Sequence, residues 1–334
     1  MLVTVLASLV LGQKMAPITD FPKCEEPPVE VKVLVLNYDP VVKPDSGATV
    51  VQVAAYNDPR TLGDQYSQDI ELTSGGFIKY KVIEWRDINE FPMKADGFRY
   101  TPENYVAARA AGKYREPDAL DYSKVIESQN VVQLVDEGKI DEVWLFGGPG
   151  FGYFEAAMAG PGAFDVNGGP IPGIKSKRPF VIMGFNYERG VAEMIHNLAH
   201  RTESTMARIY GGWTAGDITS QWGKFAASER QSKGFAGVGN CHWPPNAEKE
   251  YDYANSRVVW SNADMWITYP KMKGKMKPIN KENWGGPDYH RNYLKWWFAR
   301  LPKAAKTSRD GRQNNWWKYV FEFNKYDASG KAIR

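Results

Sequence analysis

Cysteine and histidine are both scarce in this chain, which has two cysteines and four histidines among 334 residues. Secretion would allow Cys24 and Cys241 to form a disulfide, but two cysteines so far apart are equally well two buried thiols. A nucleophilic Cys–His pair is therefore restricted to one of these two cysteines.

A large excess of charge of either sign is also missing. The 42 basic and 39 acidic residues give a formal net charge of +3, which is too balanced to predict nucleic-acid binding. We therefore expect the partner to be a small-molecule or polymeric substrate, with a glycan as one candidate, and no nucleic acid.

No hydrophobic run reaches the length of a membrane span, so we expect no stable span. Residues 1–14 (MLVTVLASLVLGQK) have the length of a signal-peptide core but lack its basic start, and Pro-rich sequence follows at once. Residues 1–20 are predicted to be a signal peptide or an N-terminal extension. The expected location is secreted or in the cell envelope.

The sequence contains no motif for nucleotide binding and no motif for a serine nucleophile. The glycine-rich FGGPGFG at 146–152 follows a predicted strand, yet it fits neither the Gly-x-Gly-x-x-Gly pattern nor a Walker loop. We expect no nucleotide cofactor, although backbone N–H groups there can form an anion-binding nest. No Gly-x-Ser-x-Gly elbow is present either.

The first two thirds of the chain alternate between predicted strands and helices. Apolar or alternating runs predict strands at 31–37, 77–87, 140–148 and 178–186, and residues 49–58 are a second strand or a turn into a helix. Helices are predicted at 58–76, 101–112, 121–138 and 189–208. This order predicts an α/β fold with a mainly parallel sheet flanked by helices.

Tryptophan is abundant after residue 210: ten of the 12 tryptophans lie between Trp213 and Trp317. We predict one α/β domain over 28–334, with a sheet-and-helix part at 28–210. The Trp-rich part at 211–334 is expected to be irregular, packed on the sheet, with helices near 213–231 and 288–300. Large aromatic residues are usually core, but their flat faces also stack on sugar rings.

The predicted helix at 189–208 places two of the four histidines on one face. At 100° per residue, five polar residues fall within about 80° of one another: Arg189, Glu193, His196, His200 and Glu203. Such a stripe can bind a metal or transfer protons, or it can be the ordinary solvated face of an amphipathic helix.

The spacing of His196 and His200 allows both imidazoles to bind one zinc ion. The Glu that follows the first His in zinc proteases is replaced by Asn197, so that mechanism does not transfer. Zinc is the expected cofactor, and the candidate ligands are His196, His200, Glu203, His242 and His290. Cys241, beside His242, is a soft ligand or a disulfide partner.

Substrate and catalytic candidates follow from the rule that ligands collect beyond the carboxyl ends of parallel strands. Glu193 and Glu188 are the candidate catalytic carboxylates, as base or orienting group. The candidate substrate-binding residues are Asp39, Arg86, Asp87, Arg189, Trp213 and Trp243.

Several strings, among them GFNYERGVAEM, HRTESTM, EYDYAN and DYHRNYLKWW, resemble a family of uncharacterised bacterial proteins. The resemblance covers about residues 30–325 and implies export and one folded unit, with no established activity. Three functions are therefore considered. They are a secreted, metal-assisted hydrolase of a glycan or peptide, a metal-free carbohydrate-active or carbohydrate-binding protein, and a non-catalytic structural protein of the cell envelope.

Overall fold

The computed structural model describes residues 21–333, so the predicted signal peptide or extension at 1–20 lies outside the described residues. The strands there are β1 (Val29–Tyr38), β2 (Val41–Lys43), β3 (Ala48–Thr49), β4 (Ile78–Ile88), β5 (Glu142–Gly147), β6 (Ala156–Ala159), β7 (Phe180–Asn186), β8 (Val259–Ser261), β9 (Lys277–Ile279), β10 (Lys303–Thr307) and β11 (Gln313–Asn315). The α-helices are α1 (Val50–Ala54), α2 (Pro59–Thr73), α3 (Pro102–Ala111), α4 (Tyr122–Ser128), α5 (Val131–Asp136), α6 (Val191–Ile209), α7 (Gln221–Phe225), α8 (Tyr289–Arg300) and α9 (Trp317–Phe321). Short 3-10 helices lie at Ala263–Thr268, Lys281–Asn283 and Phe323–Lys325.

A five-stranded sheet with the order β4-β1-β5-β7-β6 forms the centre of the fold. Neighbouring strands from β4 to β7 run parallel, and β6 pairs with β7 in the antiparallel direction. The prediction of an α/β fold with a mainly parallel sheet is confirmed. The sheet is mixed because of β6, whose sequence Ala-Ala-Met-Ala has none of the β-branched or aromatic residues that favour strands.

The inner strands are buried because their side chains are apolar on both faces. Every residue of β5 is buried, and the only side chain of β7 that is not fully buried is Asn186 at its carboxyl end. By contrast, β4 lies at the edge of the sheet and is exposed over much of its length. The carboxyl ends of β5 and β7 therefore lie side by side at the centre of the sheet.

Three predicted elements differ in extent from the structure. The helix predicted at 121–138 is split into α4 and α5 because Asn130 adopts a left-handed conformation with φ 54°. Residues 49–58 turn into α1, with Thr49 as the N-cap. In the segment 213–231 only Gln221–Phe225 is helical, and the preceding Gly211, Gly212 and Gly216 have positive φ.

Aromatic side chains of the Trp-rich part pack against one another. Trp222, Phe225, Trp266, Trp297 and Trp316 form a cluster with ring centroids between 5.3 and 6.3 Å apart. In addition, α8 packs against α2 and α6. The aromatic clusters confirm the predicted abundance of packed indole rings after residue 210.

A buried ion pair connects α6 to the sheet. Arg201 donates to the Glu142 carboxylate at 2.6 Å, and both side chains are 2% exposed. Glu142 also accepts from the Trp144 indole at 2.8 Å, and Arg201 donates to the backbone carbonyl of Val320 at 2.8 Å. Arg201, which directly follows His200, thus connects α6 to β5 and to α9.

Within residues 21–333, none of the helices combines the length and the hydrophobicity that a membrane crossing requires. Both cysteines are free, and Cys241 is buried while Cys24 is half-buried. The alternative of two separate thiols, rather than a disulfide, describes this structure.

Candidate metal centre

All four histidines of the chain lie together in one cluster. His196 and His200 are one turn apart on α6, His242 lies in the irregular segment between α7 and β8, and His290 is in the first turn of α8. Nδ1 of His196 is 3.0 Å from Nε2 of His290, and Nε2 of His200 is 3.1 Å from Nε2 of His242. Three separate parts of the chain therefore bring their imidazoles to one point.

Two pairs of ring nitrogens, at 3.0 and 3.1 Å, have nearly the spacing of two ligands on one metal ion. Two nitrogens bound to the same tetrahedral zinc at 2.0–2.1 Å are separated by about 3.3 Å. One candidate atom from each of His196, His200, His242 and Cys241 lies within 4.8 Å of every other, and these residues are buried or half-buried. The cluster can hold a metal ion.

The histidine face of α6 points inward. His196 is 7% exposed, and most residues of α6 are buried all around the helix. The loop that carries His242 and the helix that carries His290 cover this face. The interpretation of the stripe as a solvated surface therefore does not describe α6. The rings of Tyr251 and Tyr253 pack against His242 and His290.

The loop that carries His242 is fixed by hydrogen bonds from α8. The Tyr293 hydroxyl donates to the carbonyl of Asn240 at 2.8 Å, and the Trp297 indole donates to the carbonyl of Gly239 at 2.8 Å. Gly239 has φ 85°, and a Cβ there would lie 2.4 Å from the carbonyl oxygen of Trp243. Only glycine fits this position, so the loop holds His242 in a defined place.

Glu203, predicted as a ligand, lies behind one histidine instead of facing the others. Its Oε2 is 3.2 Å from Nδ1 of His200, and its Oε1 accepts from the backbone N–H of Cys241 at 2.7 Å. A carboxylate on Nδ1 fixes the tautomer and the orientation of the ring, leaving the Nε2 lone pair for a ligand. Glu203 thereby orients His200 and ties α6 to the His242 loop.

Burial keeps two of the imidazoles neutral. Desolvation, reinforced by the neighbouring histidines, lowers the pKa of His196 to about 2, and burial lowers the pKa of His290 to about 4. For His200, burial opposes the charged form, but the Glu203 carboxylate outweighs it and the pKa is raised. Neutral imidazoles are the form that binds metals.

A cavity of about 640 Å³ opens beside the histidines. It lies at the carboxyl ends of β5 and β7, as the strand-end rule predicts, and it includes the glycine-rich turn 147–152. Of the predicted site residues, Arg189, Glu193, His196 and His290 line it. Oε1 of Glu193 is 3.9 Å from Nδ1 of His290, and burial raises the pKa of this carboxyl.

Three predicted substrate-binding residues lie at the ends of β1 and β4, outside the lining of this cavity. Asp39 accepts from a backbone N–H of α1. Asp87 pairs with Arg60 at 2.9 Å, and Arg86 pairs with Glu84 at 2.8 Å. Their side chains are engaged in contacts of the sheet edge.

The remaining predicted residues, His200, Glu203, His242, Glu188, Trp213 and Trp243, are also outside the lining. Glu188 is exposed at the turn before α6, and Trp213 and Trp243 are half-buried. The Trp213 ring packs on Trp222 with centroids 5.8 Å apart. The lining residues found in the described part of the chain include tyrosines and phenylalanines but no tryptophan.

Two residues near the histidines had no sequence signal. The Tyr251 hydroxyl is 3.3 Å from Nε2 of His242, and Oε2 of Glu155 is 3.8 Å from Nε2 of His200. Both residues line the cavity. Neither residue lies at a helical spacing from a histidine. Glu155 reaches the cluster because it directly precedes β6, and Tyr251 reaches it because it follows the His242 loop.

Comparisons with protein-family models, with curated protein sequences and with solved structures give no match for this chain. The resemblance to an exported bacterial family stays a prediction. The geometry of this site is therefore the basis on which a function can be inferred.

Proposed function

We propose that the protein is a metal-dependent hydrolase whose ion is zinc. The observation that carries the proposal is the convergence of the chain's four histidines on one point beside a cavity of about 640 Å³. Histidines with no common role would be distributed over the fold, because their average preference is neither for the core nor for one another.

The residues that would hold the ion are His196, His200 and His242, with Cys241 within 4.8 Å of them. His290 contacts His196 at 3.0 Å. Their donors suit zinc, which binds imidazole nitrogen in tetrahedral or expanded geometry. When bound, the ion supplies Lewis acidity and lowers the pKa of a bound water toward neutrality. The carboxylate of Glu203 holds the His200 ring so that its Nε2 faces inward.

The cavity supplies the binding surface for the substrate. Its walls include the aromatic rings of Phe151, Tyr153 and Tyr253, and its charged groups include Arg189 and Glu193. Glu193 is half-buried next to His290 and its carboxyl pKa is raised, which suits a group that accepts or returns a proton. We infer an extracellular glycan or peptide as substrate, in keeping with the predicted export.

The two alternative functions have less support. A carbohydrate platform made of indoles would place tryptophans at the cavity, yet seven of them are fully buried, namely Trp144, Trp222, Trp266, Trp296, Trp297, Trp316 and Trp317. A purely structural protein gives no reason for four histidines to meet beside a cavity. The metal-assisted hydrolase accounts for both observations.

Metal analysis of protein purified without a histidine tag tests the proposal. We expect about one zinc ion per chain after reconstitution of the apoprotein, and a loss of zinc in the variants His200→Ala and His242→Ala. Cys24→Ser is the control, since Cys24 contacts Lys303 and Asn315 away from the cluster. If the unmodified protein takes up no stoichiometric ion, or if His200→Ala keeps it, the proposal is wrong.

A further inference from the structure

Glu155 approaches the histidine cluster from the side where a metal would be. Its Oε2 is 3.8 Å from Nε2 of His200, and this is the nitrogen that lies 3.1 Å from Nε2 of His242. Glu203 instead contacts Nδ1 of the same ring. The two carboxylates thus lie at opposite ends of one imidazole, and only Glu155 lies at the metal-facing end.

The distance from Glu155 to His200 is compatible with a shared ion. An oxygen and a nitrogen each about 2.0–2.1 Å from one ion are 3.8 Å apart when the angle between the two bonds is about 130–145°. This angle is larger than the angle between two ligands of a tetrahedral ion and smaller than the angle between two ligands on opposite sides of an ion. It is compatible with a shell of more than four ligands. The Glu155 side chain is 40% exposed, so it can turn without disturbing the core.

A second residue directs the Glu155 carboxylate. The side-chain amide of Asn167 donates to Oε2 at 2.9 Å, and Asn167 has φ 112°, a conformation that is unfavourable for a residue with a side chain. The next residue, Gly168, donates its N–H to the carbonyl of Ala156 at 2.8 Å. The loop 160–173 is therefore tied to β6 in a strained conformation that presents the amide to Glu155.

The backbone of Glu155 is fixed as well. Its carbonyl accepts from the N–H of Gly184 on β7 at 3.1 Å. A Cβ on Gly184 would lie 2.2 Å from the carbonyl oxygen of Phe154, so the absence of a side chain is needed for this close pairing. The antiparallel strand β6 thus carries a carboxylate to the edge of the cavity.

We infer that Glu155 is an oxygen ligand of the ion held by the histidines, and that Asn167 is the positioning residue that directs its carboxylate. This inference rests on the proposed function, because it requires that the cluster binds a metal. It adds a carboxylate to the group of imidazoles and Cys241, and this negative charge stabilises a divalent cation beside the cavity. The shell would then include histidine nitrogens and one carboxylate oxygen.

Binding of Zn²⁺ and Co²⁺ to the apoprotein, measured by competition with a chelator, tests the ligand role. Glu155→Gln should weaken Zn²⁺ binding by more than about 100-fold, since the loss of an outer partner costs 10–100-fold. The matched control is Glu250→Gln, because Oε1 of Glu250 is 3.7 Å from Nδ1 of His242 and lies at the outer end of that ring. We expect the control to lose less than about 10-fold, because 3.7 Å is too long for a hydrogen bond and the Glu250 side chain is 57% exposed.

The visible absorption spectrum of the Co²⁺ protein gives a readout that a purely structural role would not change. Glu155→Gln should alter the ligand-field bands, because a carboxylate is replaced by water, while Glu250→Gln should leave them unchanged. Circular dichroism checks the fold of each variant. Glu155→Asp keeps the charge on a shorter side chain, so we expect it to retain part of the Zn²⁺ affinity. This variant replaces Glu155→Gln in the test if Glu155→Gln fails to fold.

The positioning role of Asn167 is tested by two variants. Asn167→Gly removes the amide and adopts the positive φ readily, and we expect a loss of about 10-fold in Zn²⁺ affinity. Asn167→Asp should lose more, because it places a second carboxylate against Glu155. A Zn²⁺ affinity in Asn167→Gly equal to that of the unmodified protein would contradict the role of the amide.

The outcomes separate the two proposals. If the unmodified protein binds neither Zn²⁺ nor Co²⁺, the proposed function fails and the inference fails with it. If it binds both ions and Glu155→Gln binds Zn²⁺ within 10-fold of it with an unchanged Co²⁺ spectrum, only the assignment of Glu155 is overturned.

Discussion

The buried pair of Glu142 and Arg201 offers a sharp test of what holds the histidine helix in place. We propose the substitution Glu142→Gln, which keeps the size of the side chain and an oxygen that can accept from the Trp144 indole. It removes the negative charge and leaves the Arg201 guanidinium, whose side chain is 2% exposed, without an ionic partner.

The expected cost follows from the burial of both groups. Removing one partner of a buried ion pair costs about 3–5 kcal/mol, because the remaining charge is then buried without compensation. This is a large part of the 5–15 kcal/mol that stabilises a typical folded protein. Arg201→Met should be costly for the same reason, since it leaves the Glu142 carboxylate buried.

The double variant Glu142→Gln/Arg201→Met should be more stable than either single variant, because it leaves neither the Glu142 nor the Arg201 charge buried. Urea denaturation of the four proteins gives the free energies of unfolding and the coupling between the two sites. A cost below about 1 kcal/mol for Glu142→Gln, or strictly additive costs in the double variant, would refute the reasoning. Either result would mean that the hydrogen bonds to Trp144 and Val320 hold α6 without the charge pair.

Two further predictions concern a buried lysine and a buried glycine. Burial lowers the pKa of Lys303 from 10.5 to about 7, so between pH 7 and 10.5 the unfolded chain binds more protons than the native protein and stability rises with pH. Lys303→Met should therefore be more stable than the unmodified protein at pH 6, by up to about 5 kcal/mol, and this difference should shrink between pH 7 and 9. A difference in the free energy of unfolding, measured by urea denaturation, that stays constant with pH would contradict this prediction. Gly184→Ala should lower the free energy of unfolding by about 1–3 kcal/mol or more, because the added Cβ clashes with the Phe154 backbone. Gly169→Ala should be tolerated, because nothing lies within 4 Å of the added Cβ. Equal melting temperatures for the two variants would count against the clash.

Most of the sheet was predictable because its strands are buried on both faces and their sequences are continuously apolar. The runs at 31–37, 140–148 and 178–186 correspond to β1, β5 and β7. The strand β6 was not predicted, because it consists of three alanines and a methionine and is stabilised by its pairing with β7. The split between α4 and α5 depends on a single left-handed Asn130, which a periodic pattern does not show.

The part of the site on α6 was predictable because helical spacing alone places His196 next to His200. His242 and His290 were named as alternative ligands, and the structure brings both into the cluster. Their meeting depends on tertiary contacts, chiefly those of α8, that no local pattern contains.

Other site residues were beyond local reasoning. Glu155 directly precedes the edge strand β6, and its approach to His200 follows from the pairing of β6 with β7. The strand-end rule named residues on all of the parallel strands, but the cavity lies only at the ends of β5 and β7. Asp39, Arg86 and Asp87, at the other half of the same edge, are therefore not beside the histidines.

Because the four histidines of the chain are all in one cluster, the protein carries no spectator imidazole. Every histidine ring resonance in a proton NMR spectrum of the untagged protein reports on the same few ångströms of the molecule. Ligands can thus be screened, and occupancy followed, without isotope editing or site-specific labels, an advantage that a polyhistidine tag would abolish.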